Sequence, residues 1–245
     1  MVDMSLAYTE VQQRLCALLE DLGETRAKIL VPACPEWSVR DLLAHHCGLV
    51  VDVVSENTPE FFERFNLLDQ WRDDDVARAR DDLSGRQVAE RQGRSLESLI
   101  NEWRAATAAI LPIMRGEQSF PNGVPPIFSS VLINDLVVHE GDIRIALGMG
   151  QAPAGAALSV ALRGYGFSLD YRLKTLGLAP LVLAYDGKTR QLGGEGDPGA
   201  TVCATRFDLV RTLASRRTAA EILNLDWSGD PDPYVSIMPE YGPVG

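Results

Sequence analysis

The stretch "NDLVVHEGDIRIALG", residues 134–148, sets Asp135, His139 and Asp142 into a segment whose apolar residues recur at helical spacing. At about 100° per residue, Phe128, Leu132, Leu136, Ile143, Ala146 and Leu147 share one side of a helix, and these three polar residues fall among them. Asn134, Glu140 and Arg144 fall on the outer faces, where charge belongs. Burying an unpaired carboxylate or imidazole is costly, so such groups are normally paired or bound to a metal. Asp135 and His139 stand one turn apart, which brings their side chains to one spot. A hydrogen-bonded Asp–His pair inside a bundle and a pair of metal ligands are equal readings of this helix taken alone.

The supply of histidine favours ligands. The chain has three histidines: His139, and the adjacent His45 and His46 in "SVRDLLAHHCGLVVDVVSE". A bundle that packs the two helices together completes a set of two histidines and one carboxylate. Such a set leaves coordination positions open to water or substrate, the catalytic rather than the structural pattern for zinc. It also suits non-haem iron, so the donor set leaves the metal's identity open. Periodicity prefers His46, close to the centre of the stripe made by Leu42, Leu49, Val50 and Val53, over His45 toward its edge. The histidine not used is read as a core residue or a hydrogen-bonding partner.

Four helices must position these residues. From Ser5 to about Leu30, residues such as Leu6, Val11, Leu15, Leu18, Leu22 and Ile29 mark a long first helix. "VPACPEW" interrupts it with two prolines, and Ser38 and Asp41 then form an S-x-x-D capping box at the start of a second. Residues 57–85 read as a loop with short helical pieces, and the acid run Asp73 to Asp75 as a solvated face. A third helix runs from about Arg86 through "SLESLINEWRAATAAILPIM", with a break at Gly93; the fourth spans about Phe128 to Leu147 and ends at Gly148. An antiparallel bundle is the natural packing.

After Gly150 the texture changes. "PAGAALSVALRGYGFSLDYRLK" reads as a helix, "LVLAYDG", "RQLGG" and "ATVCAT" as short strands, and "RFDLVRTLASRRTAAEIL" as a helix again. The fold class is therefore α+β, with a helical bundle over residues 1–150 and a small α+β domain over 151–245.

Composition narrows the function classes. With 23 basic against 34 acidic residues and a net charge of −11, the chain lacks the cationic surface that binds phosphate backbones. No apolar run approaches the roughly 20 residues needed to span a bilayer, and "MVDMSLAYTEVQQRL" has no apolar signal core, so a cytoplasmic protein is expected. Cys16, Cys34, Cys47 and Cys203 form no C-x-x-C pair and read as reduced thiols; the spacing of Cys34 and Cys47 matches no structural zinc pattern.

"VPACPEWSVRDLLAHHCG", followed some ninety residues later by "DLVVHEGDIRIALG", resembles the amino-terminal domain of the mycothiol-dependent maleylpyruvate isomerase family, within the DinB-like metal-binding bundles. "GEGDPGATVCATRFDLVRTLASRRT" is similar to that family's small second domain. The resemblance assigns the metal to His45, eight residues after Trp37, with Asp135 and His139, overriding the periodicity that favours His46. Isomerase members can carry glutamate where this chain has the shorter Asp135. Arg216, in "LASRRT", falls where the family carries an arginine facing the active site between domains, and Asp142 matches a recurring acid that orients a ligand.

The resemblance implies a divalent metal, zinc first, and mycothiol as cofactors. In the family's isomerase reaction a thiolate adds to an activated double bond, allows rotation and leaves; in transferase relatives the thiol stays attached. The expected function is thus a mycothiol-dependent isomerase or S-transferase acting on a small electrophile that bears a carboxylate. A metal-binding protein that senses or carries a small ligand without turnover is the alternative. A hydrolase using metal-bound water needs a separate base, for which His46, Glu140 and Asp142 are weak candidates. Neither nucleic acid nor a membrane is an expected partner, and the chain is expected as a monomer or homodimer.

Overall fold

The computed structural model describes residues 2–57, 72–121 and 124–244. The chain opens with helix α1 (Met4–Arg26), whose first turn is capped by the Asp3 carboxylate accepting from the Leu6 amide at 3.1 Å. It ends earlier than its apolar pattern predicts, and Gly23, at φ +73°, already interrupts it. "VPACPEW" does more than break the helix: strands β1 (Leu30–Val31) and β2 (Cys34–Ser38) pair antiparallel across it. Ser38 then starts α2 (Val39–Val54) through the predicted capping box with Asp41.

Residues 57–85 were expected as loop with short helical pieces. Of these, 58–71 lie outside the described residues, while Asp73 caps a full helix, α3 (Asp74–Ala89), accepting from the Asp75 and Val76 amides. The acid run is therefore a helix start, where carboxylates meet the positive end of the helix dipole. Gly93, at φ +76°, separates α3 from α4 (Leu96–Met114), so the expected third helix is two. Helix α5 (Phe128–Ala146) closes the set, followed by Gly148 at φ +66°.

Helix α1 packs on α4 and α5, α2 packs on the same two, and α3 packs on α2. The resulting bundle buries Tyr8, Leu15 and Leu19 from α1, Leu42 and Leu43 from α2, Leu99, Ile100 and Trp103 from α4, and Phe128, Leu132 and Ile133 from α5. None of the described helices is long and apolar enough to cross a membrane.

The chain divides into two compact units. One holds the described residues up to 57 with Asp73–Ala157, and the other holds Arg72 with the described residues from Leu158 onward. The second unit begins within α6 (Ala156–Thr175). Its sheet comprises β3 (Leu181–Tyr185), β4 (Lys188–Leu192), β5 (Ala200–Cys203) and β6 (Asp226–Gly229), in the order β4-β3-β5-β6. The β3–β4 hairpin turns on Asp186 and Gly187, at φ +49° and +69°, the paired positive values that a two-residue turn needs. Strands β3 and β5 run parallel, and β6 pairs antiparallel to β5.

The segment "RFDLVRTLASRRTAAEIL" breaks into α7 (Arg206–Leu213) and α8 (Ala219–Leu223), and α9 (Asp232–Val235) follows β6. The break is a Schellman turn: the Ser215 amide donates to Thr212 at 3.2 Å and the Arg216 amide to Arg211 at 2.9 Å, with Ser215 at φ +57°. The buried Arg172 guanidinium meets Glu240 at 2.8 Å, and Ser168 donates to the same carboxylate at 2.8 Å.

Candidate metal centre

Helices α2 and α5 bring all three histidines to one carboxylate. His45 Nε2 and His46 Nδ1 each lie 3.3 Å from Asp135 Oδ2, and His139 Nε2 lies 3.5 Å from Asp135 Oδ1. The three imidazoles are buried, while the Asp135 side chain keeps 27% of its surface. Despite these approaches, among the described residues Asp135 Oδ2 closes no hydrogen bond, and neither does His46 Nε2. A buried carboxylate oxygen among imidazole nitrogens at these distances fits a cation held between them.

Two of the rings are prepared for ligation by what holds their far nitrogens. His45 Nδ1 faces Gln87 Oε1 at 2.8 Å, and Gln87 Nε2 donates to Asp52 Oδ2 at 2.6 Å. A carboxylate only accepts, so the Gln87 amide must turn its NH₂ to Asp52 and its oxygen to His45. His45 therefore donates from Nδ1, which leaves Nε2 as the nitrogen that faces Asp135. Arg86 fixes the far end of the chain, 2.9 Å from Asp52 Oδ2. His139 repeats the arrangement within its own helix: Nδ1 lies 3.1 Å from Asp142 Oδ2, three residues on. A ligating histidine anchored through its other nitrogen is the usual outer layer of a metal site.

Gln87 is the site residue that sequence reasoning missed. It sits 42 residues from its partner in a helix whose apolar pattern is weak, and nothing in its neighbourhood marks it. Gly48 makes the contact feasible, because a Cβ there would stand 2.6 Å from Gln87 Cβ. Glu140, read as outward-facing, is instead buried at 1% exposure. It accepts from Arg14 of α1 at 2.7 Å and from Arg144 at 3.1 Å, so its charge is paired inside the α1–α5 contact.

His46 differs from the other two rings. It stacks on Trp103, with centroids 5.8 Å apart and planes at 13°, and Trp103 Nε1 donates to the Tyr8 hydroxyl at 3.0 Å. Burial pushes its pKa down to about 4, against the opposing pull of Asp135, so the ring is neutral at physiological pH. Burial also works against ionisation of Asp135, but His139 and His45 outweigh it and hold the carboxyl well below its usual range. For His139 burial disfavours the cation, and Asp135 with Asp142 overturns that and raises the pKa well above the ordinary value.

Among the described residues two groups place three donor atoms within 4.8 Å of one another: His45, His46 and Asp135, and Cys34, His139 and Asp142. Asp135 joins the two. Cys47 belongs to neither, so Cys34 and Cys47 form no common site among those residues. Cys34 comes instead from β2, beside His139. Arg216 follows the α7 Schellman turn in the second unit, where its guanidinium donates to the Ala214 carbonyl at 3.2 Å.

Fold and site together describe a helical-bundle protein with a histidine–carboxylate centre. The chain belongs to the family of the mycothiol maleylpyruvate isomerase N-terminal domain, which matches residues 8–144, more than half of its length. It is similar in fold to the crystal structure of the mycothiol-dependent maleylpyruvate isomerase, with 14% identity, a TM-score of 0.53, and 87% of this chain and 88% of that one covered. A crystal structure of that enzyme with one histidine changed to alanine gives 13% identity and a TM-score of 0.54 over the same shares. No curated protein matches the chain.

Proposed function

We propose that this chain is a metal-dependent, mycothiol-dependent isomerase or S-transferase acting on a small electrophile that carries a carboxylate. The observation that carries the reading is the pair of anchored imidazoles, His45 and His139, turning Nε2 toward one carboxylate in a chain of this family. His45, Asp135 and His139 would hold the divalent ion, zinc by preference. Bound together, ion and thiol supply a thiolate nucleophile at neutral pH, where a free thiol of pKa ~8.5 is mostly protonated, and with it reversible addition to an activated double bond.

The chain's own residues prepare that chemistry. Gln87 and Asp142 hold Nδ1 of His45 and His139 on the side away from Asp135, so that each ring turns Nε2 toward that carboxylate. Asp135 supplies the anionic donor. Trp37, whose ring lies 5.3 Å from that of His45, covers the imidazole with apolar surface. Arg216 is assigned to the substrate carboxylate, which a guanidinium binds by two parallel hydrogen bonds; its place in "LASRRT" supports this.

Metal analysis of the purified full chain, with turnover of maleylpyruvate in the presence of mycothiol, tests the reading. Wild type is expected to carry one ion, which His45→Ala and His139→Ala lose. Arg216→Ala is expected to keep the ion while KM rises about tenfold or more, as for a lost charge-assisted pair. Unchanged metal content in both histidine variants would remove the site. A loaded chain that fails to turn over maleylpyruvate with mycothiol would remove the isomerase reading.

A further inference from the structure

The reading above uses two histidines and leaves His46 unexplained. A core histidine satisfies its nitrogens with protein partners, whereas among the described residues His46 Nε2 has no hydrogen bond and Nδ1 faces the Asp135 carboxylate. The ring cannot turn away. It is 3% exposed, lies flat on Trp103, and Trp103 is itself fixed through Tyr8.

The spacing is informative. Donors placed 2.0–2.1 Å from one ion at tetrahedral angles stand about 3.3–3.4 Å apart. His45 Nε2 and His46 Nδ1 each stand 3.3 Å from Asp135 Oδ2, and His139 Nε2 stands 3.5 Å from the other oxygen, Oδ1. His46 thus meets the carboxylate at the same distance as His45, and one ligand atom from each of His45, His46 and Asp135 lies within 4.8 Å of the others.

We infer that His46 is a third imidazole ligand, through Nδ1, so that this chain offers its metal three histidines and one aspartate. The inference rests on the metal-site reading made above and adds to it. Those four protein donors would be enough for a tetrahedral set around the ion.

The chain has three histidines in all, which makes the count direct. Full-length protein labelled with ¹⁵N in histidine and loaded with ¹¹³Cd²⁺ is expected to show cadmium coupling to three imidazoles, two through Nε2 and one through Nδ1. Coupling to two, both through Nε2, overturns the role of His46 and leaves the three-residue site standing. Absence of any coupling overturns both. As a second measurement, zinc competition with a chromophoric chelator is expected to show His46→Phe, which keeps the stack on Trp103, weakened by about a hundredfold or more, beyond the roughly 10–100-fold of an outer-layer change. A folded His46→Phe that binds zinc as wild type does would overturn the assignment.

Discussion

At the scale of single residues, the site is decided by which nitrogen of each ring is held. His45 and His139 have the same composition and opposite surroundings: one is anchored by an amide from another helix, the other by a carboxylate one turn along its own. The Asp135–His139 contact was legible because both lie in one helix, where spacing maps onto distance, whereas Asp142 was marked by the family resemblance. The Gln87–His45 contact was not, since no periodicity links residues 42 positions apart. Gln87→Leu is expected to retain a folded bundle and to weaken zinc binding by about 10–100-fold, because His45 loses the acceptor that fixes its tautomer; a chelator competition titration measures this. An unchanged affinity would make Gln87 a packing residue only. Glu140 carries the converse lesson: an acid placed outward by helix phase is buried because Arg14 of the neighbouring helix pairs with it.

Helices and strands answer to local rules where those rules are strong. The capping box at Ser38, the long stripes of α4 and α5 and the stop at Gly148 all stand where their residues place them. Local rules failed where a weak stripe met a strong cap: the Asp73 carboxylate starts α3 in a stretch too polar to announce a helix. Helix α3 then matters to the site, because it approaches α2 closely enough at Gly48 to bring Gln87 within reach of His45. Gly48→Ala would set a Cβ 2.6 and 2.7 Å from Gln87 Cβ and Cγ, so the two helices must part. The expected cost is about 1–3 kcal/mol in chemical denaturation, as for other overpacked contacts, with zinc affinity falling in the same variant. Stability lost with zinc affinity intact would separate the helix contact from the metal site.

Over the whole molecule, the residues assigned to the ion all lie in the first unit, whereas the second has its own buried polar centre at Arg172, Glu240 and Ser168. Breaking a buried ion pair costs about 3–5 kcal/mol when one charge stays behind. Glu240→Ala is expected to lower the unfolding temperature in calorimetry and to leave metal content as in wild type; lost metal would show that the site depends on the second unit. The sequence by itself determined the α+β class, the helix carrying Asp135 and His139, and the family, because helical phase, capping residues and linear motifs are properties of neighbouring residues. Only the tertiary structure decided that His45 and His46 both face Asp135, that Gln87 and Asp52 stand behind one of them, and that Glu140 is buried. Those are contacts between helices far apart in the chain, and packing, rather than local spacing, sets the distances across them.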